Sequence, residues 1–147
     1  MALKLTAEEV GPFMEQHFPQ VAADFAVESL TENAASMRLL VRNDHLRPGG
    51  TVSGPSLFAL ADVAMYVAVL GMIGRKALAV TTNCSIDFMR KPVGDRDLIG
   101  DARILKLGRS LAVGDVLIRS DGHDAPVARA SLTYSIPPQG SAADIDG

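Results

Sequence analysis

A chain of 147 residues fits one domain and is long enough to enclose a core. With 48% hydrophobic and 21% charged residues and a net charge of -3, it lacks the basic footprint of a nucleic-acid binder. Its one cysteine, Cys84, excludes an intrachain disulfide and a cysteine-built metal site.

The first residues show no basic segment followed by an apolar run, so no signal peptide is expected, and with a lone cysteine the protein reads as cytoplasmic. Thr6, with Glu9 three residues on, has the form of a capping box. Val10, Phe13, Met14 and Phe18 follow at helical spacing, and Pro19 stops the run, which places an N-terminal helix within residues 1–20. Residues 25–30 and 35–41 read as strands joined by a turn at Thr31-Glu32-Asn33. A loop containing Arg47-Pro48-Gly49-Gly50 comes next.

Ser53-Gly54-Pro55 carries helix-start chemistry. Residues 57–73 are apolar except for Asp62 and the weakly polar Tyr66, and Gly71 and Gly74 mark an end, which sets a central helix at 53–74. The apolar run is at the lower edge of bilayer-spanning length, and a carboxylate near its middle is costly in lipid. A buried helix and no membrane partner are expected, because a helix apolar almost all round must be enclosed.

Residues 77–89, 98–107, 111–119 and 127–136 read as strands. Gly108-Arg109-Ser110 turns between the second and third, and Ser120-Asp121-Gly122-His123-Asp124 between the third and fourth. Pro137-Pro138 ends the sheet, leaving one domain over 1–138 and a flexible tail at 139–147. Strands around a single apolar helix argue for an α+β protein with a mainly antiparallel sheet. One sheet covers only part of such a helix, so a homodimer at least is expected.

Several chemistries lack their residues. There is no glycine-rich phosphate loop and no His-Glu-x-x-His, and His17, His45 and His123 show no ligand spacing, so no metal is expected. In Gly50-Thr51-Val52-Ser53-Gly54 the serine is off the centre of a Gly-x-Ser-x-Gly elbow and lacks an evident preceding strand, which argues against a Ser-His-Asp hydrolase. His45 and His123 read as solvated loop histidines.

The segment 47–66 holds the remaining information. An N–H at the start of a helix has no intrahelical acceptor and can hold a carbonyl oxygen and the oxyanion it becomes. Pro55 has no N–H, which leaves Gly54 as the better donor. Asp62 lies two turns further. A lone carboxylate in an apolar helix must pair with a base, cap nearby backbone, or act as a general base or nucleophile.

Leu60-Ala61-Asp62 with Gly54 eight residues before the aspartate, the later Asp87-Phe88-Met89-Arg90-Lys91-Pro92, and the Gly108-Arg109-Ser110-Leu111-Ala112 turn form an ordered set. Together they resemble the acyl-CoA thioesterases of the hotdog superfamily, in particular the phenylacetate-pathway (PaaI-like) group, over roughly residues 35–137. The resemblance implies the hotdog fold, a curved antiparallel sheet wrapped around a long central helix. It implies a homodimer or homotetramer with active sites between subunits. The substrate would be an acyl-CoA thioester, with no cofactor beyond the CoA of the substrate itself.

Carried over by position, Asp62 is the catalytic carboxylate and Gly54 the donor to the thioester carbonyl, from the opposite subunit. Thr81 aligns with a residue that positions water when Phe88 is matched to the family aromatic; matching Pro92 selects Thr82 instead. Strand alternation lets only one of the two face the site, and Thr81 is preferred. Ser53, Arg47, Tyr66, Thr82 and Arg90 are the candidate substrate-binding residues. For Tyr66 a core position is the plainer reading, as it is for Phe58 and Met65. Arg75, Lys76, Arg90 and Lys91 are candidates for CoA phosphates, against the default of solvated charges.

Two positions depart from the family pattern. Its His-Gly-Gly is Ser53-Gly54-Pro55 here, and Arg47 stands where it has Asn. These departures motivate an alternative, a non-catalytic acyl-CoA binding or sensing module. A hotdog hydratase ranks below both, because no histidine lies in 47–66. The acyl group, and CoA against acyl-carrier protein, stay open.

Overall fold

A computed structural model describes residues 2–75 and 78–138. The order along the chain is α1 (Ala7–His17), α2 (Pro19–Ala22), β1 (Phe25–Thr31), β2 (Ala34–Leu39), a 3-10 turn (Asn43–His45), α3 (Gly54–Ile73), β3 (Val80–Phe88), β4 (Leu98–Leu107), β5 (Leu111–Ser120) and β6 (Pro126–Ser135). The six strands form one antiparallel sheet in the order β1-β2-β4-β5-β6-β3. α3 packs against every one of them. This is the hotdog arrangement, with the sheet curved around the helix.

Local chemistry sets the boundaries. Glu9 accepts hydrogen bonds from the Thr6 N–H and hydroxyl, both at 3.0 Å, and so closes the start of α1. Pro19 ends α1 and also opens α2, a short helix not foreseen from the sequence; proline is tolerated in the first turn, where its missing N–H costs nothing. Ser53 caps α3, its Oγ accepting from the Ser56 N–H at 3.3 Å. Gly74, at φ +87°, ends that helix. Gly71, expected to mark the end as well, lies inside α3. A Cβ there would stand 2.8 Å from Leu30 Cδ1, so it is a point of close helix–strand approach.

α3 has the length and composition of a membrane span, with mean hydropathy 2.0, yet 72% of that stretch is buried. It is the core helix of the domain. Leu60, Ala61, Ala64, Met65, Val67, Ala68, Val69 and Leu70 have no exposed surface at all. They meet the inward residues of the strands, such as Met37, Leu98, Ala112, Val116, Ile118, Ala128 and Leu132. The less covered side of α3 runs through Pro55, Phe58, Ala59 and Asp62. The sheet ends at β1 on one side and at β3 on the other, so β3 pairs only with β6. Lys76, the start of the strand expected from 77, and the tail at 139–147 lie outside the described residues.

Candidate active site

Asp62 is half-buried on the open side of α3, and it is held by hydroxyls rather than by a base. Thr81 donates to Asp62 Oδ1 at 2.5 Å. The Tyr134 hydroxyl lies 2.7 Å from the same oxygen and 3.0 Å from the Asp62 carbonyl oxygen. Thr81 on β3 and Tyr134 on β6 are cross-strand partners, so the register of one strand pair aims both hydroxyls at one carboxylate oxygen. No basic side chain pairs with Asp62 among the described residues, and none of them hydrogen-bonds Oδ2. A carboxylate fixed through one oxygen and open at the other is arranged to accept a proton or to attack.

The neighbouring phenols are tuned by their surroundings. Burial pushes the Tyr134 phenol far up, and the Asp62 charge beside it adds to the shift, so it stays a donor. Tyr66 is buried, with its ring 6.2 Å from that of Tyr134 and edge-on to Phe18 at 5.8 Å; burial raises its pKa to about 12. Burial also pushes the Cys84 thiol up, with a smaller push from the Asp62 charge.

The sequence reading missed Tyr134. Two signals pointed to it. It falls on the inward face of β6 with Leu132, Ala130 and Ala128, and a buried phenol seeks an acceptor. A half-buried aspartate with no basic partner needs donors. Thr82, on the far side of the bulge between Thr81 and Asn83, turns to the Thr133 carbonyl at 3.3 Å and does not reach Asp62.

A second group gathers at the start of α3. As the first residue of the helix, Gly54 has no intrahelical acceptor for its N–H, and no other described residue takes it. The Phe88 ring covers Gly54 so closely that a Cβ there would meet Cζ at 3.4 Å. The loop leading in is pinned. The Ser53 N–H donates to the His45 carbonyl at 2.8 Å, and Leu46 bridges to Val52. His45 is 8% exposed, not solvated as the sequence suggested. Its Nδ1 accepts the Arg42 N–H at 2.9 Å, and its Nε2 lies 3.6 Å from Asp24. Long-range contact with the Asp24 segment buries it. His123 is exposed.

Beside Gly54 lies an open groove of about 410 Å³, whose lining includes Arg47, Phe88, Arg90 and Lys91. Arg75 is elsewhere, paired with Glu9 at 3.4 Å and stacked over Phe13. Phe58 is exposed, whereas Met65 is buried in the core. No group of three His, Cys, Asp or Glu side chains able to hold a metal occurs among the described residues.

A family model described as the thioesterase superfamily matches residues 49–127, which take in the start of α3, Asp62 and β3 to β5. Among solved structures, a candidate thioesterase from Silicibacter sp. TM1040 is 57% identical to this chain, with a TM-score of 0.88, covering 94% of this chain and 96% of that one. A mutant form of the phenylacetic acid degradation protein PaaI from Thermus thermophilus is 29% identical, with a TM-score of 0.68 and coverage of 86% and 99%. A hypothetical thioesterase from Streptococcus pneumoniae TIGR4, solved with coenzyme A, is similar in fold at 23% identity, with a TM-score of 0.75 and coverage of 87% and 99%.

Proposed function

Because this chain belongs to the thioesterase superfamily, we propose that it hydrolyses acyl-CoA thioesters to a carboxylic acid and free CoA, with Asp62 as the catalytic carboxylate. The observation that carries this reading is the Asp62 side chain itself: Oδ1 is held by the Thr81 and Tyr134 hydroxyls, and Oδ2 is open. The Oδ2 atom takes a proton from water as its oxygen adds to the thioester carbonyl carbon. The Gly54 N–H holds the oxyanion that forms. Collapse breaks the C–S bond and expels the thiolate, which takes the proton back from Asp62. In a variant of the same chemistry, Asp62 attacks the carbonyl first and water then cleaves the anhydride.

Gly54 and Asp62 of one chain cannot share one carbonyl. Eight residues of helix separate them by about 12 Å along the axis. A complete site therefore joins Gly54 of one subunit to Asp62 of another. β3 suits such a contact: it is an edge strand that carries Thr81 and exposes Val80 at 52% and Phe88 at 55%. A homodimer formed along this edge would also cover the open side of α3.

The departures from the family pattern favour the second reading, a binding module. Ser53 is engaged in capping α3, and Pro55 offers no N–H. Free-thiol release from a panel of acyl-CoA esters, with wild type beside Asp62→Ala, separates the two. The proposal expects turnover that falls by about a thousandfold in the folded variant. Esters that bind without turnover would leave the binding module standing.

A further inference from the structure

Tyrosines aside, two polar side chains are buried among the described residues, His45 and Ser120. Ser120 accepts the Val93 N–H at 2.9 Å and so holds the chain that leaves β3. His45 acts on the other loop, the one that delivers Gly54. Its Nδ1 accepts the Arg42 N–H at 2.9 Å, and its own backbone N–H donates to the Arg42 carbonyl at 2.9 Å. Side chain and backbone thus close the same 3-10 turn. An imidazole that accepts at Nδ1 carries its proton on Nε2, and that atom faces Asp24. The turn is tied to the joint between α2 and β1, because the Arg42 guanidinium donates to Asp24 Oδ1 at 2.9 Å and to the Ala23 carbonyl at 2.7 Å.

From this turn a single hydrogen bond leads to the start of α3. The His45 carbonyl accepts the Ser53 N–H at 2.8 Å, and Ser53 in turn caps the helix through the Ser56 N–H. The intervening residues close on themselves, with Leu46 bridging to Val52 and the Arg47 N–H donating to the Thr51 carbonyl at 2.8 Å. His45 therefore joins two bodies: its imidazole is fixed to the rest of the domain, and its carbonyl is fixed to the residue before Gly54.

We propose that His45 is a positioning residue for the Gly54 N–H, its imidazole fixing the turn whose carbonyl fixes Ser53 and so sets where the oxyanion donor points. The inference rests on the thioesterase reading for what that N–H receives. A donor stabilises an oxyanion best when it is already aimed at the place where charge develops. The effect belongs to the transition state, so it falls on kcat rather than KM. The atom that matters is Nδ1. Asparagine can place its Oδ1 there and accept the Arg42 N–H, whereas glutamine, closer to histidine in volume, reaches the place of Nε2 instead.

Two measurements on the full chain test this, each on wild type, His45→Leu, His45→Asn and His45→Gln. One is kcat and KM for thioester hydrolysis, and the other is amide exchange at Ser53 followed by NMR. His45→Leu should lose about tenfold or more in kcat with KM little changed. Its Ser53 N–H should exchange about tenfold faster. His45→Asn should return kcat to within about threefold of wild type and restore the protection, while His45→Gln stays low. The Asn and Gln variants decide the matter even where His45→Leu fails to fold. A role in packing alone would rank the variants by volume, with Gln above Asn, and that order would overturn the proposal, as would wild-type kcat in a folded His45→Leu protein. Should no ester be hydrolysed, Ser53 protection kept by Asn and lost by Gln would sustain the positioning role while the hydrolase reading fell. Hydrolysis with kcat and protection both indifferent to residue 45 would do the reverse.

Discussion

Tyr134 places its hydroxyl 2.7 Å from Asp62 Oδ1, across 72 residues of sequence, and Thr81 reaches the same oxygen from the neighbouring strand. The phenol stays protonated because burial and the Asp62 charge both resist its ionisation. In the proposed reaction it would therefore orient the carboxylate without competing for the proton that moves. Tyr134→Phe keeps the ring in its packed site and removes only that hydroxyl. Hydrogen bonds to a charged group contribute about 1.5–3 kcal/mol, so kcat should fall by roughly 10- to 100-fold, with KM little changed. Wild-type kcat in the variant would show that Tyr134 is merely packed.

The two adjacent threonines separate in the same assay. Thr81→Val removes a donor to Asp62 and should lower kcat by about tenfold or more. Thr82→Val removes an exposed hydroxyl whose partner is the Thr133 carbonyl, and should cost much less. A larger loss at position 82 would mean that the bulge between Thr81 and Asn83 shifts on binding substrate and exchanges the two side chains.

Local signals made the scaffold readable. Ser53 and Gly74 bracket α3 because capping is decided within a few residues, and β4 was read at 98–107, its observed bounds, because turn residues stand on both sides. The isolated carboxylate in an apolar helix drew attention to Asp62, and its observed partners are hydroxyls rather than a base. What could not be read depends on chain segments far apart. Tyr134 looks like any core aromatic until β6 is paired with β3. His45 looks like a loop residue until the Asp24 segment packs over it. Gly71 carries a helix-end signal that its contact with Leu30 overrides.

The separation of Gly54 and Asp62 on one helix predicts complementation between subunits. Gly54→Pro removes the N–H at a first-turn position where proline is accepted, and Asp62→Ala removes the carboxylate. Each variant alone should be inactive. Mixed one to one and allowed to exchange, half the dimers are hybrids with one intact site in two, so about a quarter of wild-type activity should return. Activity that stays at zero in verified hybrids would place both groups of a working site in one chain.

Packing gives a prediction independent of function. A Cβ at Gly114 on β5 would collide with the Arg103 carbonyl on β4 and stand 2.7 Å from Met65 Cε. A backbone carbonyl in a sheet cannot retreat as a flexible side chain can. Gly114→Ala should therefore destabilise the fold by about 1–3 kcal/mol, seen as a drop in the denaturant midpoint. Gly94→Ala, with nothing within 4 Å of its added carbon, should stay within about 0.5 kcal/mol of wild type.

Tyr66 and Tyr134 are the only tyrosines, and there is no tryptophan, so phenolate absorbance reports on them alone. Burial raises Tyr66 from 10.0 to about 12 and pushes Tyr134 higher still. Below pH 10 both phenols are neutral in the folded and unfolded chains and add no pH dependence. Above pH 10 the unfolded chain releases protons that the folded chain keeps, so it binds fewer protons and stability falls as pH rises. A spectrophotometric titration should show almost no phenolate at pH 10 to 11, then a cooperative rise that coincides with loss of the circular dichroism signal. Smooth titration near pH 10 with the dichroism intact would mean that both rings are open to solvent, and the hydroxyl pair on Asp62 would lose its buried member.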